Sequence, residues 1–144
     1  MTEPFVMLVD DEVPFVETTT KRLTKRNLKV ITAFGGQEAL DTLSKNRNVD
    51  VVILDVKMPG MDGIETLREI KKAYPLTEVI MLTGHATVES AIEGMKLGAY
   101  DYLMKPCDIE QIALKVAEAA GKKREHMEKI REAQVKKALS MGLE

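Results

Sequence analysis

Apolar residues along the chain fall into two alternating patterns. Five short runs are almost continuous: Phe5-Val6-Met7-Leu8-Val9, Leu28 to Ala33, Val51-Val52-Ile53-Leu54, Val79-Ile80-Met81-Leu82 and Tyr100-Asp101-Tyr102-Leu103-Met104. Runs of this length, rich in β-branched and aliphatic side chains, read as strands buried on both faces, as in a parallel sheet covered by helices. Between them the spacing becomes helical. Residues 13–27 carry Pro14 in an early helical position, with Phe15, Val16, Thr19 and Leu23 on one stripe. Gly36 opens a short helix with Ala39, Leu40 and Leu43 inward, and Ile64, Leu67, Ile70 and Ala73 repeat until Pro75 stops them. A fourth helix starts at Thr87 and ends at Gly98, with Val88, Ala91, Ile92 and Met95 expected inward. In the fifth, Asp108 is the expected N-cap with Gln111 as its partner, and Ile109, Ile112, Val116 and Ala119 form the apolar side.

Strand and helix thus alternate five times. With right-handed crossovers this order predicts an α/β fold, a doubly wound five-stranded parallel sheet in the order 2-1-3-4-5, in three layers and of flavodoxin-like type. Residues 1–121 account for one domain. The remaining segment, 122–144, holds seven Lys/Arg and four Asp/Glu, and its Met127, Ile130, Val135, Leu139 and Met141 are too loosely spaced for a sustained heptad. It reads as a charged helical extension of the last helix, with a dimerising helix or a linker to an output domain as the other readings.

Composition adds mainly exclusions. At 144 residues and 44% hydrophobic content there is enough for one sizeable core, and a net charge of -2 provides no global basic field for nucleic acid. With no charged-then-apolar leader and no apolar run near the ~18 residues of a membrane span, a cytoplasmic protein without membrane contact is expected. The single cysteine, Cys107, is read as a small filler beside Pro106, and His126 as a surface residue. Met58, Met61, Met81, Met95 and Met104 are read as core and rim packing.

The chemistry sits where the strands end. Asp10 and Asp11 follow the first strand, Asp55 the third, Thr83 and Gly84 close the fourth, and Lys105 follows the fifth. In an open parallel sheet, ligands bind at this carboxyl edge. Three carboxylates there would repel by about 4 kcal/mol per pair at 4 Å and an effective dielectric near 20. One lysine and one divalent cation would bring them to neutrality. Hard oxygen donors without a His or Cys cluster suit Mg²⁺ or Mn²⁺ and argue against zinc, and a cation held by so few groups keeps positions open for phosphate oxygens. A carboxylate can then be the nucleophile that forms an aspartyl phosphate. Asp55, beside the switch point between the first and third strands, is the expected acceptor; Asp10 and Asp11 hold the metal, while Thr83 and Lys105 donate to the phosphoryl oxygens.

Four segments carry a family resemblance: Val9-Asp10-Asp11-Glu12, Leu54-Asp55-Val56-Lys57-Met58-Pro59-Gly60-Met61-Asp62-Gly63, Leu82-Thr83-Gly84-His85 and Tyr102-Leu103-Met104-Lys105-Pro106. Over about residues 4–121 the chain resembles the CheY-like receiver domain of two-component response regulators. The resemblance implies phosphoryl transfer to Asp55 from a sensor histidine kinase, with Mg²⁺ bound by Asp10 or Asp11, Asp55 and the backbone carbonyl of Lys57. It also implies a cis peptide between Lys105 and Pro106, and a switch from Thr83 to Tyr102 that reshapes the face of the fourth helix, fifth strand and fifth helix for a downstream effector, an output domain or a second copy. Thr83-Gly84-His85-Ala86-Thr87 and Ala99-Tyr100-Asp101-Tyr102 look most like receivers of the NtrC type. His85 then lies near the route of the hydrolytic water or is a plain loop residue, and the Lys57 side chain approaches the phosphoryl group or points to solvent. Two other readings stand beside this one. The chain can be the amino-terminal fragment of an NtrC-type transcription regulator; a haloacid-dehalogenase-like phosphatase is disfavoured because Lys57 stands where those enzymes place a second Asp. The expected protein is a phosphorylation switch rather than a turnover enzyme.

Overall fold

A computed structural model describes residues 3–142, so Met1, Thr2, Leu143 and Glu144 at the ends of the two expected segments lie outside the described residues. The elements run β1 Phe5–Val9, α1 Val13–Thr24, β2 Lys29–Ala33, α2 Gly36–Lys45, β3 Val51–Leu54, α3 Gly63–Ala73, β4 Glu78–Thr83, α4 Val88–Lys96, β5 Asp101–Met104 and α5 Ile109–Ser140. All neighbours in the sheet are parallel, in the order β2-β1-β3-β4-β5. This is the expected doubly wound architecture.

The apolar runs are continuous because both sheet faces are covered. Successive strand residues point to opposite sides. Met7, Val9, Val52, Leu54, Val79 and Met81 join one core, against helices α2 and α3. Their neighbours Val6, Leu8, Val51, Ile53, Ile80 and Leu82 join a second, closed by Val16 and Leu23 of α1 and Ile112 and Val116 of α5. Strands β1, β3 and β4 are buried throughout, whereas the edge strands β2 and β5 are partly exposed. Gly36 allows α2 to approach α3, because a Cβ there would lie 2.3 Å from Thr66 Oγ1.

Two helix details differ from expectation. In α4, Val88 is 72% exposed, Ile92 51% and Met95 47%, so three of the four residues expected inward face outward, while Ala91 is half-buried. The helix lies over the sheet's edge and packs through Gly94, where a Cβ would sit 3.7 Å from Met81 and from the Tyr102 ring. Met104 is 65% exposed as well, so neither it nor Met95 is core packing, unlike the buried Met58 and Met81. At the start of α5, Asp108 is the N-cap and accepts from Glu110 N at 3.3 Å. Gln111 does not complete that cap: its amide oxygen accepts from Cys107 Sγ at 3.6 Å.

Helix α5 runs without interruption through Gly121 for 32 residues. Just beyond that glycine, three consecutive cations reach the amino-terminal edge of the sheet. Lys122 lies 3.3 Å from Glu78 at the start of β4. Lys123 Nζ donates to Val49 O at 3.0 Å and pairs with Asp50 at 3.2 Å. Arg124 donates to Asp50 at 2.9 Å and to Glu3 O at 3.2 Å. Asp50 also accepts from Phe5 N at 2.8 Å, which ties β1 into the cluster. Burial along α5 ends here; from Glu125 to Ala133 every residue is exposed. No helix among the described residues is long and apolar enough to cross a membrane.

Candidate functional site

Strand register assembles the site at the carboxyl edge. Val9 is aligned with Leu54 and Thr83 with Met104, so the residues that follow emerge side by side. Backbone bonds extend the pairing by one residue, from Asp55 N to Val9 O at 3.0 Å and from Lys105 N to Thr83 O at 2.9 Å. Asp10, Asp11, Asp55, Thr83 and Lys105 therefore meet on one rim, with Asp55 at the end of the central strand.

Carboxylate oxygens of Asp10, Asp11 and Asp55 all lie within 4.8 Å of one another. Asp10 and Asp55 are almost sealed, at 1% and 2% exposure, while Asp11 faces solvent. Each buried acid is oriented by a backbone donor: Asp10 Oδ1 accepts from Glu12 N at 2.9 Å, and Asp55 Oδ1 from Val56 N at 2.8 Å. Lys105 Nζ lies 2.6 Å from Asp10, 3.2 Å from Glu12 and 4.0 Å from Asp55. It also sits 4.0 Å from the centroid of the Phe15 ring. Thr83 is fully buried, and its hydroxyl oxygen accepts from His85 N at 3.0 Å.

Burial raises the Asp10 carboxyl above its ordinary pKa, against the lowering pull of Lys105 and Glu12 N, with Asp55 adding to the rise. A carboxyl raised in this way favours folding at low pH and costs stability as pH climbs through its folded value. For Lys105 burial acts to lower the pKa, but Asp10, Asp55 and Glu12 outweigh it and the net shift is upward. Its ion-pair stabilisation is fully present below the ordinary lysine pKa and is lost only as pH rises through the raised value. At neutral pH the ammonium is charged. It leaves a surplus of buried negative charge.

That surplus is what a hard divalent cation would neutralise, and an all-oxygen donor set at this spacing fits Mg²⁺ or Mn²⁺. The cluster opens into a cleft of about 440 Å³ lined by Asp11, Glu12, Asp55, Lys57, Met58, Pro59 and His85. The loop after Asp55 folds back tightly, with Gly63 N donating to Val56 O at 2.7 Å. Only glycine fits at position 63, because a Cβ there would lie 1.9 Å from Asp55 O. Asp62 caps α3 through Glu65 N at 2.9 Å. The nearest atom to a Cβ built on Gly84 is Lys105 Cδ, at 4.0 Å, so the space beside Thr83 is free. The Lys105–Pro106 peptide is cis. Tyr102 is half-buried, and its hydroxyl lies 2.6 Å from Ser90 Oγ.

A larger cavity, about 770 Å³, opens at the opposite edge of the sheet beside Tyr74, Leu76 and Met127. Its buried acid, Asp50, is already paired with Lys123 and Arg124. The acid cluster with cation-holding spacing opens into the smaller cleft instead.

Two neighbours of Lys105 carry no role in the sequence reading. Glu12 stands in the acidic run with no expected role, and Phe15 falls on the expected core stripe of α1. Both contacts span about 90 residues of chain, a distance over which periodicity is silent.

Residues 6–117 match the family model of the response regulator receiver domain. Among curated proteins, the DNA-binding transcriptional regulator NtrC of Klebsiella pneumoniae is 38% identical over 104 residues, which cover 72% of this chain and 22% of that protein. The chain spans about a quarter of the length of the curated relatives it matches. Among solved structures, a response regulator receiver domain protein from Clostridium thermocellum aligns with a TM-score of 0.80 at 37% identity, covering 84% of this chain and 97% of that one. An adenylate cyclase structure from Rhodopirellula baltica aligns at 0.85 with 26% identity, over 92% of this chain and 98% of that one.

Proposed function

Because the chain belongs to the response-regulator receiver family, a family of signalling domains rather than classical enzymes, we propose that Asp55 takes a phosphoryl group from the phosphohistidine of a sensor kinase. The observation that carries this reading is the placement of Asp55. It is 2% exposed at the end of the central strand, grouped with two further acids and 4.0 Å from an ammonium.

Asp10, Asp11, Asp55 and the Lys57 carbonyl would hold Mg²⁺, or Mn²⁺ in its place. When bound, the cation draws charge from the phosphoryl oxygens. An Asp55 carboxylate oxygen forms the new bond to phosphorus as the phosphorus–nitrogen bond of the phosphohistidine breaks, and the departing imidazole takes a proton from solvent. Lys105 and Thr83 donate to the transferred oxygens. The aspartyl phosphate is lost by slow hydrolysis, and the receiver returns to its starting state without turning over a substrate of its own. Incubation with a radiolabelled, phosphorylated cognate kinase should move the label to this chain within minutes in Mg²⁺ and leave it on the kinase in excess EDTA. Transfer that is as fast in EDTA would rule out the metal-dependent reaction.

The output face is built by α4, β5 and α5. Its exposed Val88, Ile92, Met95 and Met104 favour an apolar contact with an effector, an output domain or a second copy. Phosphate adds nearly two negative charges and three acceptor oxygens, which draw Thr83 inward and leave space for Tyr102 to turn into. The coupling is modest, ~1–3 kcal/mol. Thr83→Ala should still be labelled at Asp55 yet lose the beryllofluoride-induced amide shifts of Tyr102 and residues 87–97. Wild-type shifts in that variant would break the route.

Residues 1–121 are the receiver in this reading; of the segment 122–144, Lys122, Lys123 and Arg124 still pair with the sheet edge, and the helix leads away from it beyond them. The identity to NtrC, 38% over 104 residues, supports a second form of the same reading, in which the chain is the receiver of a cytoplasmic NtrC-type transcription regulator.

A further inference from the structure

We propose that Glu12 and Phe15 form a holding station for the Lys105 ammonium, keeping it beside Asp55 when Asp10 turns to a cation. The inference rests on the receiver reading, since it concerns the same site. Lys105 makes its shortest contact, 2.6 Å, with Asp10 Oδ2. That carboxylate belongs to the acid cluster a divalent cation would need. Two cations on one carboxylate repel, so the ammonium must give way as the metal arrives.

Its neighbours decide where it goes. Among the described residues, the carboxylates within ion-pair reach of Lys105 are Asp10, Glu12 and Asp55. Glu12 is the N-cap of α1, but its side chain makes no capping bond; its backbone N–H is held by Asp10 Oδ1 instead. The residue is therefore anchored through its main chain, while its carboxylate, 60% exposed, can follow the ammonium. The Phe15 ring attracts the same charge from 4.0 Å and, lacking a directional bond, tolerates sliding. Once Asp10 is lost, these two partners keep Lys105 over Asp55, where phosphoryl oxygens would arrive. Glu12 touches no reacting atom in this scheme. It is a positioning residue, acting through Lys105.

The test uses the full chain as wild type, Glu12→Gln, Lys105→Met and the double variant. Mg²⁺ binding is followed by calorimetry, and the lysine ε-carbon resonances by NMR. Glu12→Gln should weaken Mg²⁺ binding roughly threefold, since the ammonium then has a poorer alternative to Asp10. In the Lys105→Met background the same change should have no effect. The Lys105 ε-carbon signal should move when Mg²⁺ is added to wild type, and move to a different position in Glu12→Gln. Equal weakening in both backgrounds would show Glu12 acting on the cation directly, and no weakening in either would remove its role; both outcomes overturn the proposal. If wild type binds Mg²⁺ and labels at Asp55 in those cases, the receiver reading survives. A wild type that binds no Mg²⁺ would sink both.

Discussion

Asp55→Asn should accept no phosphoryl group. Incubated with acetyl phosphate and Mg²⁺, the wild type should gain one phosphoryl mass increment in an intact-mass spectrum, and the variant should stay at its starting mass. Asparagine keeps the size of the side chain and an oxygen able to accept from Val56 N, which bonds Asp55 Oδ1 at 2.8 Å. The acid cluster keeps its shape. What is lost is the nucleophile, because a neutral amide oxygen does not attack phosphorus as a carboxylate does. Asp10 and Asp11 remain in the variant, so labelling at either would appear as a retained increment. Full labelling of Asp55→Asn would move the acceptor elsewhere and dismantle the site assignment.

The second large effect concerns stability. A chain ending at Gly121 should lose about 1.5–3 kcal/mol relative to one ending at Glu125, because it removes the Lys123 and Arg124 partners of Asp50 at the sheet edge. Most of the loss arises at the Asp50–Lys123 pair, whose side chains are each 7% exposed. Lys122 contributes little, since its side chain is 49% exposed and the Glu78 Oε2 atom it faces makes no hydrogen bond. Beyond Arg124, removing the exposed helix down to Glu125 should cost less than about 1 kcal/mol, as helix without packing adds little. Urea unfolding of the three lengths measures this. Equal midpoints for chains ending at 121 and 125 would show that the cluster does not hold the sheet edge.

The sheet was legible in the sequence because β1, β3 and β4 are buried on both faces, which leaves no polar position to blur the runs. The rim was legible for a related reason: parallel order places every strand's carboxyl end on one edge, so Asp10, Asp55, Thr83 and Lys105 could be grouped without knowing a distance. Periodicity reports which residues share a helix face and is silent on what that face meets. Val88, Ile92 and Met95 share one, but it points to solvent since α4 overhangs the sheet's edge and Gly94 makes the contact. Lys123 illustrates the opposite case. In a run of cations it reads as solvated, yet it is 5% exposed because Asp50 and Val49 O lie within its reach across some 70 residues of chain.

Helix α5 gives the molecule a mechanical dimension. From Arg124 to Ser140 it projects as a lever about 24 Å long, at 1.5 Å of rise per residue. Its fulcrum is the charged cluster on the sheet edge. A tilt of the body by about 5° sweeps the tip of such a lever through roughly 2 Å, more than the ~1 Å by which backbone commonly shifts when a pre-organised site is filled. Any domain or probe attached at the far end therefore experiences an amplified copy of small rotations in the sheet, with its direction set by where three side chains grip the sheet edge.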